Sequence, residues 1–202
     1  MSLFRKLFGS KSEKSEEELK SQDRGKYMPE IKLPVDERFT INFKANGGKF
    51  LYCENLDEVF GALDNILQEN NWNDSKALIY DNNLKARFKD FNLIASNYSQ
   101  EATYFISTCE NLIADEGSLL ISSNQIAEKK LKELPDNFIV FATTSQIVEN
   151  LSEGLRAIKS KNPQRIPTNI TAIKHFKTLE EKDFLSYGSS SKNLYLLLLE
   201  DL

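Results

Sequence analysis

Two short apolar runs limit the folds open to this chain more than any other feature of its sequence. Residues 138–142 read Phe-Ile-Val-Phe-Ala, and residues 194–199 read Leu-Tyr-Leu-Leu-Leu-Leu. Runs of this length without alternating polar residues are typical of strands that are buried on both faces of a sheet. The second run is too short to cross a bilayer, so we interpret it as a central or near-central strand.

Segments with strand-like and helix-like patterns alternate around these two runs. Further strands are predicted at residues 49–53, 77–80, 93–95, 102–107 and 118–121. Helices are predicted at residues 36–45, from an Asn55 cap to residue 70, around Leu84 and Phe88, from a cap at residues 143–145 to residue 162, and at residues 169–177. A helical turn is predicted at residues 125–134. Glu58 follows Asn55 at the spacing of a capping box. The alternation predicts an α/β domain in layers, with a mostly parallel sheet flanked by helices.

Residues 36–45 fit two kinds of secondary structure. The sequence Phe-Thr-Ile-Asn-Phe at residues 39–43 alternates like a strand, whereas Val35, Phe39 and Phe43 recur at helical spacing. The Asn-Gly-Gly sequence at residues 46–48 suits either a hairpin turn or the end of a helix. We predict a helix at this position.

The length of 202 residues suits one domain preceded by a tail. We predict a tail at residues 1–28 and an α/β domain at residues 29–202. Helical spacing would place Leu3, Phe4, Leu7 and Phe8 on one face, beside Arg5 and Lys6. This face predicts weak docking of residues 1–9 to a membrane surface or a partner, and the alternative is a tail that folds back or stays mobile. The polar residues 10–26 are expected to be flexible.

The composition excludes several classes of function. A net charge of −4 argues against nucleic-acid binding, which requires a basic surface. Two cysteines and one histidine are too few to hold an iron–sulfur cluster or a cysteine-rich zinc site, so we predict no metal site and no cofactor bound by this chain. Cys53 and Cys109 end apolar segments and are interpreted as buried thiols, rather than as nucleophiles or a disulfide.

The sequence also bears on cellular location. It has no run of 18 apolar residues, and its amino terminus lacks the apolar core of a signal peptide. We therefore predict a cytoplasmic protein.

A small and acidic corner lies between two of the predicted strands, at Asp115, Glu116, Gly117 and Ser118. Gly117 can adopt the positive φ of a tight bend, and Asp115 can form local hydrogen bonds. Such a corner places carboxylates and N–H groups beside a rigid sheet, which suits ligand binding, although a plain turn is the alternative. The two carboxylates are also candidates for acid–base chemistry, but neighbouring side chains of an extended segment point apart.

Two later segments are further candidates for binding a small anion. The first offers hydroxyls, an amide and N–H groups at Thr168, Asn169 and Thr171, and its alternative role is to cap a helix. The second offers hydroxyls, N–H groups and one cation at Gly188, Ser189, Ser190, Ser191 and Lys192, and its alternative is a surface loop. We expect a site for a small anionic ligand if the fold brings these segments and the corner to a common mouth.

Residues 113–121 resemble the Ala-Asp-Thr-Gly-Thr/Ser corner of LUD-domain proteins, the lactate-utilisation family. The order of the following features is similar too: an apolar strand at residues 138–142, a Pro-Thr-Asn turn, and a Gly-Ser loop before a last apolar strand. The resemblance covers residues 36–202. It implies a fold like that of ribose-phosphate isomerases, CoA transferases and formyltetrahydrofolate cyclo-ligases, and a role near the oxidation of lactate or a similar carboxylate.

The resemblance also implies that redox cofactors are held by partners, namely iron–sulfur oxidoreductase subunits. This chain departs from the family at two motifs. Residues 166–173 lack the Gly, the basic residue and the Asp of the family's Gly-Pro-Ser-Lys/Arg-Thr-Ala-Asp-Ile turn, and residues 187–192 lack the His of its Gly-x-His-Gly-Pro loop. These departures indicate a divergent branch with altered or lost chemistry.

Three hypotheses follow from the sequence. The first is an accessory or small-anion-binding protein linked to lactate or organic-acid oxidation. The second is a stand-alone enzyme that acts on a phosphorylated or CoA-linked metabolite. The third is a non-catalytic scaffold.

Overall fold

The computed structural model describes residues 33–89, 91, 93–96, 98–176 and 192–201. In this part of the chain the strands are β1 (Lys49–Cys53), β2 (Lys76–Leu78), β3 (Ile94–Ser96), β4 (Tyr104–Thr108), β5 (Asn111–Ile113), β6 (Ser118–Ile121), β7 (Asn137–Thr143), β8 (Ile147–Val148), β9 (Thr171–Ile173) and β10 (Asn193–Leu199). The helices are α1 (Val35–Ala45), α2 (Leu56–Glu69), α3 (Asn82–Arg87), α4 (Ser123–Ile126) and α5 (Leu151–Lys161). The predicted tail, residues 1–28, lies outside the described residues.

The larger sheet is parallel throughout, with the strand order β1-β10-β7-β4-β2-β3. The inner five residues of β7 and of β10 are buried, so the interpretation of the two apolar runs is confirmed. β10 lies between β1 and β7, at a central position. Burying each large apolar side chain of these strands contributes about 1.5–3 kcal/mol, so this pair of strands stabilises the sheet strongly.

Helix α2 covers one face of the larger sheet. Its buried stripe, which consists of Val59, Leu63, Ile66 and Leu67, belongs to the same apolar cluster as Ile139 and Leu197 of the central strands. The Oδ1 atom of Asn55 accepts a hydrogen bond from the Glu58 N–H at 2.9 Å, and Glu58 Oε2 accepts one from the Glu54 N–H at 2.8 Å. The predicted cap by Asn55 is therefore confirmed, but Glu58 accepts the Glu54 N–H rather than the Asn55 N–H that a capping box requires.

Helix α1 and the smaller sheet cover the opposite face. Phe39 and Phe43 are fully buried in one cluster with Val140 and Leu196, and their ring centroids lie 5.3 Å apart. The helical spacing of these aromatic rings, rather than the alternation at residues 39–43, therefore determined the structure, and the helix prediction is confirmed. The helix ends at Ala45, and Gly47 just beyond it has a φ of 87°, which is accessible to glycine at little cost.

The smaller sheet has the order β8-β5-β6-β9 and is built around the hairpin of β5 and β6. Helix α5 packs on its outer face through a close approach at Gly154. A Cβ atom at this position would lie 2.6 Å from the Leu120 side chain and 2.9 Å from that of Ile113. The smaller sheet is thus held between α5 and the rest of the domain.

One helix prediction is wrong and another starts too early, because short strands pair with the smaller sheet. Residues 169–177 contain β9, whose Thr171 and Ile173 pair with Ile121 and Leu119 of β6. Residues 147–148 form β8, which pairs in parallel with β5. The helix that follows begins only after Asn150, whose Oδ1 accepts the Glu153 N–H at 3.1 Å.

The helical turn predicted at residues 125–134 is confirmed in part. The chain forms only the short α4 and, after it, a 3-10 turn at Leu131–Glu133. Ala127 ends α4 because its φ of 53° cannot continue a right-handed helix.

Candidate functional site

The predicted corner is the turn of the β5–β6 hairpin, and it packs closely on α1. Gly117 has a φ of 58°, as a tight bend requires. A Cβ atom at Gly117 would lie 2.3 Å from the backbone of Asn42. The side chain of Asn42 donates to the Ala114 carbonyl at 2.8 Å, and that of Asn46 donates to the Glu116 carbonyl at 2.7 Å. These contacts fix the corner to the helix and leave no room for a side chain at Gly117.

One of the two carboxylates of the corner, that of Asp115, is paired within the protein. The Asp115 carboxylate lies 3.2 Å from Arg38 Nε, and Glu149 lies 3.3 Å from Arg38 Nη2. Arg38 is largely buried, with 16% of its side chain exposed. Ser118, the last residue of the predicted corner, is fully buried. Asp115 therefore interacts with an arginine of α1, and the structure supplies no pairing of Asp115 with Glu116.

The predicted Thr168–Asn169 turn holds a carboxylate that comes from the same chain. Thr168 Oγ1 donates to Glu128 Oε1 at 3.0 Å, and Asn169 Nδ2 lies 3.3 Å from Glu128 Oε2. The Ser123 N–H also donates to the Thr168 carbonyl at 2.8 Å. Thr171 donates its hydroxyl to the Asn169 carbonyl at 3.2 Å. The donors that the sequence offers to an anion thus bind the side chain of Glu128.

The corner and this turn do not share a mouth. Thr171 pairs with Ile121, the last residue of β6, whereas Ser118 is the first residue of that strand. Three strand steps separate the two ends, which corresponds to about 10 Å. The expectation that all three predicted segments meet is therefore corrected for the corner, because β6 holds it away from the turn.

Lys192 is buried at the start of β10 and is engaged by the protein. Its side chain is 1% exposed, and Nζ donates to the carbonyls of Leu134 at 3.1 Å and Pro135 at 3.0 Å. The same Nζ lies 3.2 Å from the carboxylate of Asp136. The other predicted residues of this loop, Gly188, Ser189, Ser190 and Ser191, lie outside the described residues.

One segment of the chain contacts both Lys192 and the Thr168–Asn169 turn. We name residues 128–136 the lysine segment, because it contains Lys129, Lys130 and Lys132. Its first residue, Glu128, binds the turn, and its last three residues bind Lys192. Two of the three predicted segments are therefore connected, through a part of the chain that the sequence did not identify as functional.

A cavity of about 580 Å³ lies along the lysine segment. It opens at the amino-terminal edge of the larger sheet, since Thr103 precedes β4 and Asn137 begins β7. The lining includes Ser99, Thr103, Lys129, Lys132, Asp136 and Asn137. Hydroxyls, amides and two cations therefore surround this space.

The carboxylates around the cavity have hydrogen-bond or ion-pair partners, whereas two of its lysines form no direct ion pair in the described residues. Glu133 Oε2 accepts the Lys130 N–H at 2.7 Å, and this hydrogen bond is the main cause that lowers the pKa of Glu133. Asp136 is paired with Lys192. By contrast, Lys129 and Lys132 form no ion pair with any carboxylate of the described residues. The charges of Lys129 and Lys132 lower the pKa of Glu133 further, so the two ammonium groups of the cavity lie near a carboxylate but form no direct ion pair with it.

A second polar cluster, at the opposite edge of the larger sheet, was missed by sequence reasoning. Glu110 follows β4 and is 6% exposed. Its Oε1 accepts hydrogen bonds from Ser122 Oγ at 2.6 Å and from Asn124 Nδ2 at 2.9 Å. No cation pairs with it in the described part of the chain. The only signal in the sequence is a glutamate between two apolar segments that both form strands.

Both cysteines are buried and free, as interpreted from the sequence. Burial, with a smaller contribution from Glu58, raises the pKa of Cys53 to about 11. Burial and then the neighbouring Glu110 carboxylate raise the pKa of Cys109. Both thiols are therefore protonated at neutral pH and are poor nucleophiles.

The described residues contain neither a candidate metal cluster nor a candidate membrane span. Within them, no group of three or more His, Cys, Asp or Glu side chains is arranged to hold a metal ion. None of the described helices combines the length and the apolar character that a transmembrane span requires.

Comparisons with known proteins identify the family. The family model of the LUD domain matches residues 37–198. The structure is also similar to the crystal structure of a DUF162 family protein from Deinococcus radiodurans, with a TM-score of 0.59 and 16% sequence identity over 84% of this chain and 100% of that chain. At this identity the likeness shows a shared α/β fold. No curated protein matches the sequence significantly. Because the family model spans most of the sequence, the chain belongs to the LUD domain family.

Proposed function

We propose that this protein binds a small organic anion in the cavity along the lysine segment, as an accessory protein in the oxidation of lactate or a similar carboxylate. One observation carries the proposal: Lys129 and Lys132 line a cavity in which Glu133 accepts a backbone hydrogen bond and Asp136 is paired with Lys192. Membership of the LUD domain family supports the metabolic context through the resemblance to lactate-utilisation proteins.

We take an anion as the ligand because the Lys129 and Lys132 ammonium groups form no direct ion pair in the described residues, whereas the Asp136 carboxylate of the same lining is paired with Lys192. Lys129 and Lys132 are three residues apart, so one ligand can reach both ammonium groups. Each exposed ion pair contributes about 0.2–1 kcal/mol. Two such pairs together with neutral donors such as Thr103 suit a metabolite that binds with modest affinity. The cavity volume lies in the range of small-molecule sites, so charge rather than size selects the ligand class.

We further propose that the redox step takes place on partner subunits with iron–sulfur clusters. The whole sequence contains two cysteines and one histidine, fewer than the ligands of one four-cysteine cluster. A binding role also agrees with the residues of the cavity, which supply cations and hydrogen-bond donors. The docking of residues 1–9 to a membrane surface or a partner remains part of this proposal.

The rival function is a stand-alone enzyme, and Glu110 favours it. Open parallel sheets take their ligands beyond the carboxyl ends of the strands, and Glu110 follows the carboxyl end of β4. A buried carboxylate held by Ser122 and Asn124 is a candidate general base for a phosphorylated or CoA-linked metabolite.

Calorimetric titration with L-lactate, pyruvate, a sugar phosphate and an acyl-CoA tests both functions. The variant Lys129→Gln/Lys132→Gln should weaken binding about tenfold, in line with the loss of two exposed ion pairs. The matched control, Lys85→Gln/Lys159→Gln, also removes two positive charges, but from α3 and α5, which do not line the cavity. It should bind as the wild type does. Equal affinity in both double variants would contradict the cavity site, and loss of binding in Glu110→Gln alone would favour the enzyme.

A further inference from the structure

We propose that Glu128 is a positioning residue that holds the lysine segment, and with it Lys129 and Lys132, against the Thr168–Asn169 turn. The inference deepens the proposed function, since it concerns how the wall of the same cavity is held. We name the contact of Glu128 with Thr168 and Asn169 the Glu128 latch.

The latch uses both oxygens of one carboxylate. Oε1 accepts the Thr168 hydroxyl at 3.0 Å, and Oε2 lies 3.3 Å from the Asn169 amide nitrogen. Beside it, Ser123 and Thr168 form two reciprocal hydrogen bonds: the Ser123 N–H donates to the Thr168 carbonyl at 2.8 Å, and the Thr168 N–H donates to Ser123 Oγ at 3.0 Å. Four hydrogen bonds therefore join chain segments that are about 40 residues apart in sequence.

The backbone on both sides of the latch is strained. Ala127, directly before Glu128, has φ 53° and ψ −137°, and Asn169 has φ 51°. An alanine in this region of conformational space costs energy and persists only where the surroundings fix it. Two contacts flank Ala127: the Lys129 N–H donates to the Ile126 carbonyl at 3.2 Å and closes the turn that contains Ala127, and the latch holds the next residue, Glu128.

The two ends of the lysine segment are held by different contacts, one buried and one exposed. At residues 134–136 the buried ammonium of Lys192 binds two carbonyls and a carboxylate. At residue 128 the latch is exposed to solvent. Lys129 and Lys132 lie between these ends, so loss of the latch frees the wall of the cavity while Lys192 keeps its far end attached.

Limited trypsin digestion of the full-length protein tests the latch without any ligand. Trypsin cleaves after Lys129, Lys130 and Lys132, and the variants Thr168→Val and Glu128→Gln should raise cleavage at these sites about fivefold or more. Cleavage after Arg156 and Lys159 of α5 reports general unfolding and should stay at the wild-type rate. Cleavage at the lysine segment that stays unchanged in both variants, or that rises only together with cleavage in α5, would overturn the proposal.

Titration of the same variants with the anion that the wild type binds best separates the latch from the proposed function. A severalfold loss of affinity in Thr168→Val, with no change in the cleavage of α5, supports a positioning role for Glu128. If the wild type binds none of the four anions but the variants are cleaved faster at the lysine segment, the latch stands and the proposed function fails. If the variants bind normally and are cleaved normally, the latch is wrong and the function stands.

Discussion

The two ends of strand β6 differ in how they are held. At the Ser118 end, the corner is tied to α1 by side-chain amides and by an ion pair with the largely buried Arg38. At the Ile121 end, the turn is held by exposed hydrogen bonds to Glu128 and Ser123. Both ends looked like anion sites in the sequence. The difference indicates that the corner stabilises the fold more than the turn, whose hydrogen bonds are exposed to solvent.

The largest expected effect is at the corner, in Gly117→Ala. The new Cβ would lie 2.3 Å from the backbone of Asn42 at a φ of 58°. We expect a loss of about 3 kcal/mol or more in the free energy of unfolding, measured by urea denaturation. In the control, Gly61→Ala, the Cβ meets no atom within 4 Å in the middle of α2, and we expect a gain of about 0.5–1 kcal/mol. Equal stability of the two variants would show that the corner is not packed against α1.

The next effect is expected for Arg38→Met, which leaves Asp115 and Glu149 without their shared cation. Because Arg38 is largely buried but Asp115 is half exposed, we expect a loss of about 1–2 kcal/mol. The control Lys76→Met breaks an exposed pair with Glu101 and should cost less than about 0.5 kcal/mol. Ligand affinity should be unchanged in both variants, and a selective loss of binding in Arg38→Met would move the site to the corner.

A smaller effect is expected at the turn end, in Asn169→Gly. Glycine relieves the strain of a φ of 51° but loses the hydrogen bond to Glu128 at 3.3 Å. These two changes oppose each other, so we expect the free energy of unfolding to stay within about 0.5 kcal/mol of the wild type. A loss as large as that of Gly117→Ala would remove the distinction between the two ends.

The smallest effect concerns pH and Glu133. The hydrogen bond from the Lys130 N–H lowers the pKa of Glu133. Its contribution to stability is therefore complete above the ordinary pKa of a glutamate and is lost as the pH falls through the lowered value. Hydrogen exchange of the Lys130 amide should speed up in this acidic range beyond its intrinsic pH dependence, and Glu133→Gln should abolish the excess. An excess that persists in Glu133→Gln would assign it to another carboxylate.

The sequence predicted those parts of the fold that depend on local patterns. The apolar runs indicated the two central strands, the Asn55–Glu58 spacing indicated a capped helix, and Gly117 indicated a tight corner. Each of these signals lies within a few residues of the structure that it specifies. They were sufficient for the fold class, whereas the family was inferred from the resemblance of residues 113–121 and from the order of motifs over residues 36–202.

The missed features depend on contacts between distant segments. β8 and β9 are two and three residues long, so their pairing with the hairpin decides their conformation over any local preference. The carboxylate at the Thr168–Asn169 turn comes from Glu128, 40 residues earlier, and no local pattern links the two. The distance between the corner and the turn follows from the length of β6, which matters only once β9 is known to pair with it.

The central position of β10 has a consequence for how the protein is made. Lys49 in β1 pairs with Tyr195 in β10, 146 residues later in the chain. During synthesis, β1 therefore leaves the ribosome long before β10, with which it pairs in the larger sheet. Pairings of such high contact order form slowly, so the nascent chain exposes an apolar strand edge for most of its translation. We expect chaperones that bind extended apolar peptides to influence the yield of this protein more than that of a helical protein of the same size.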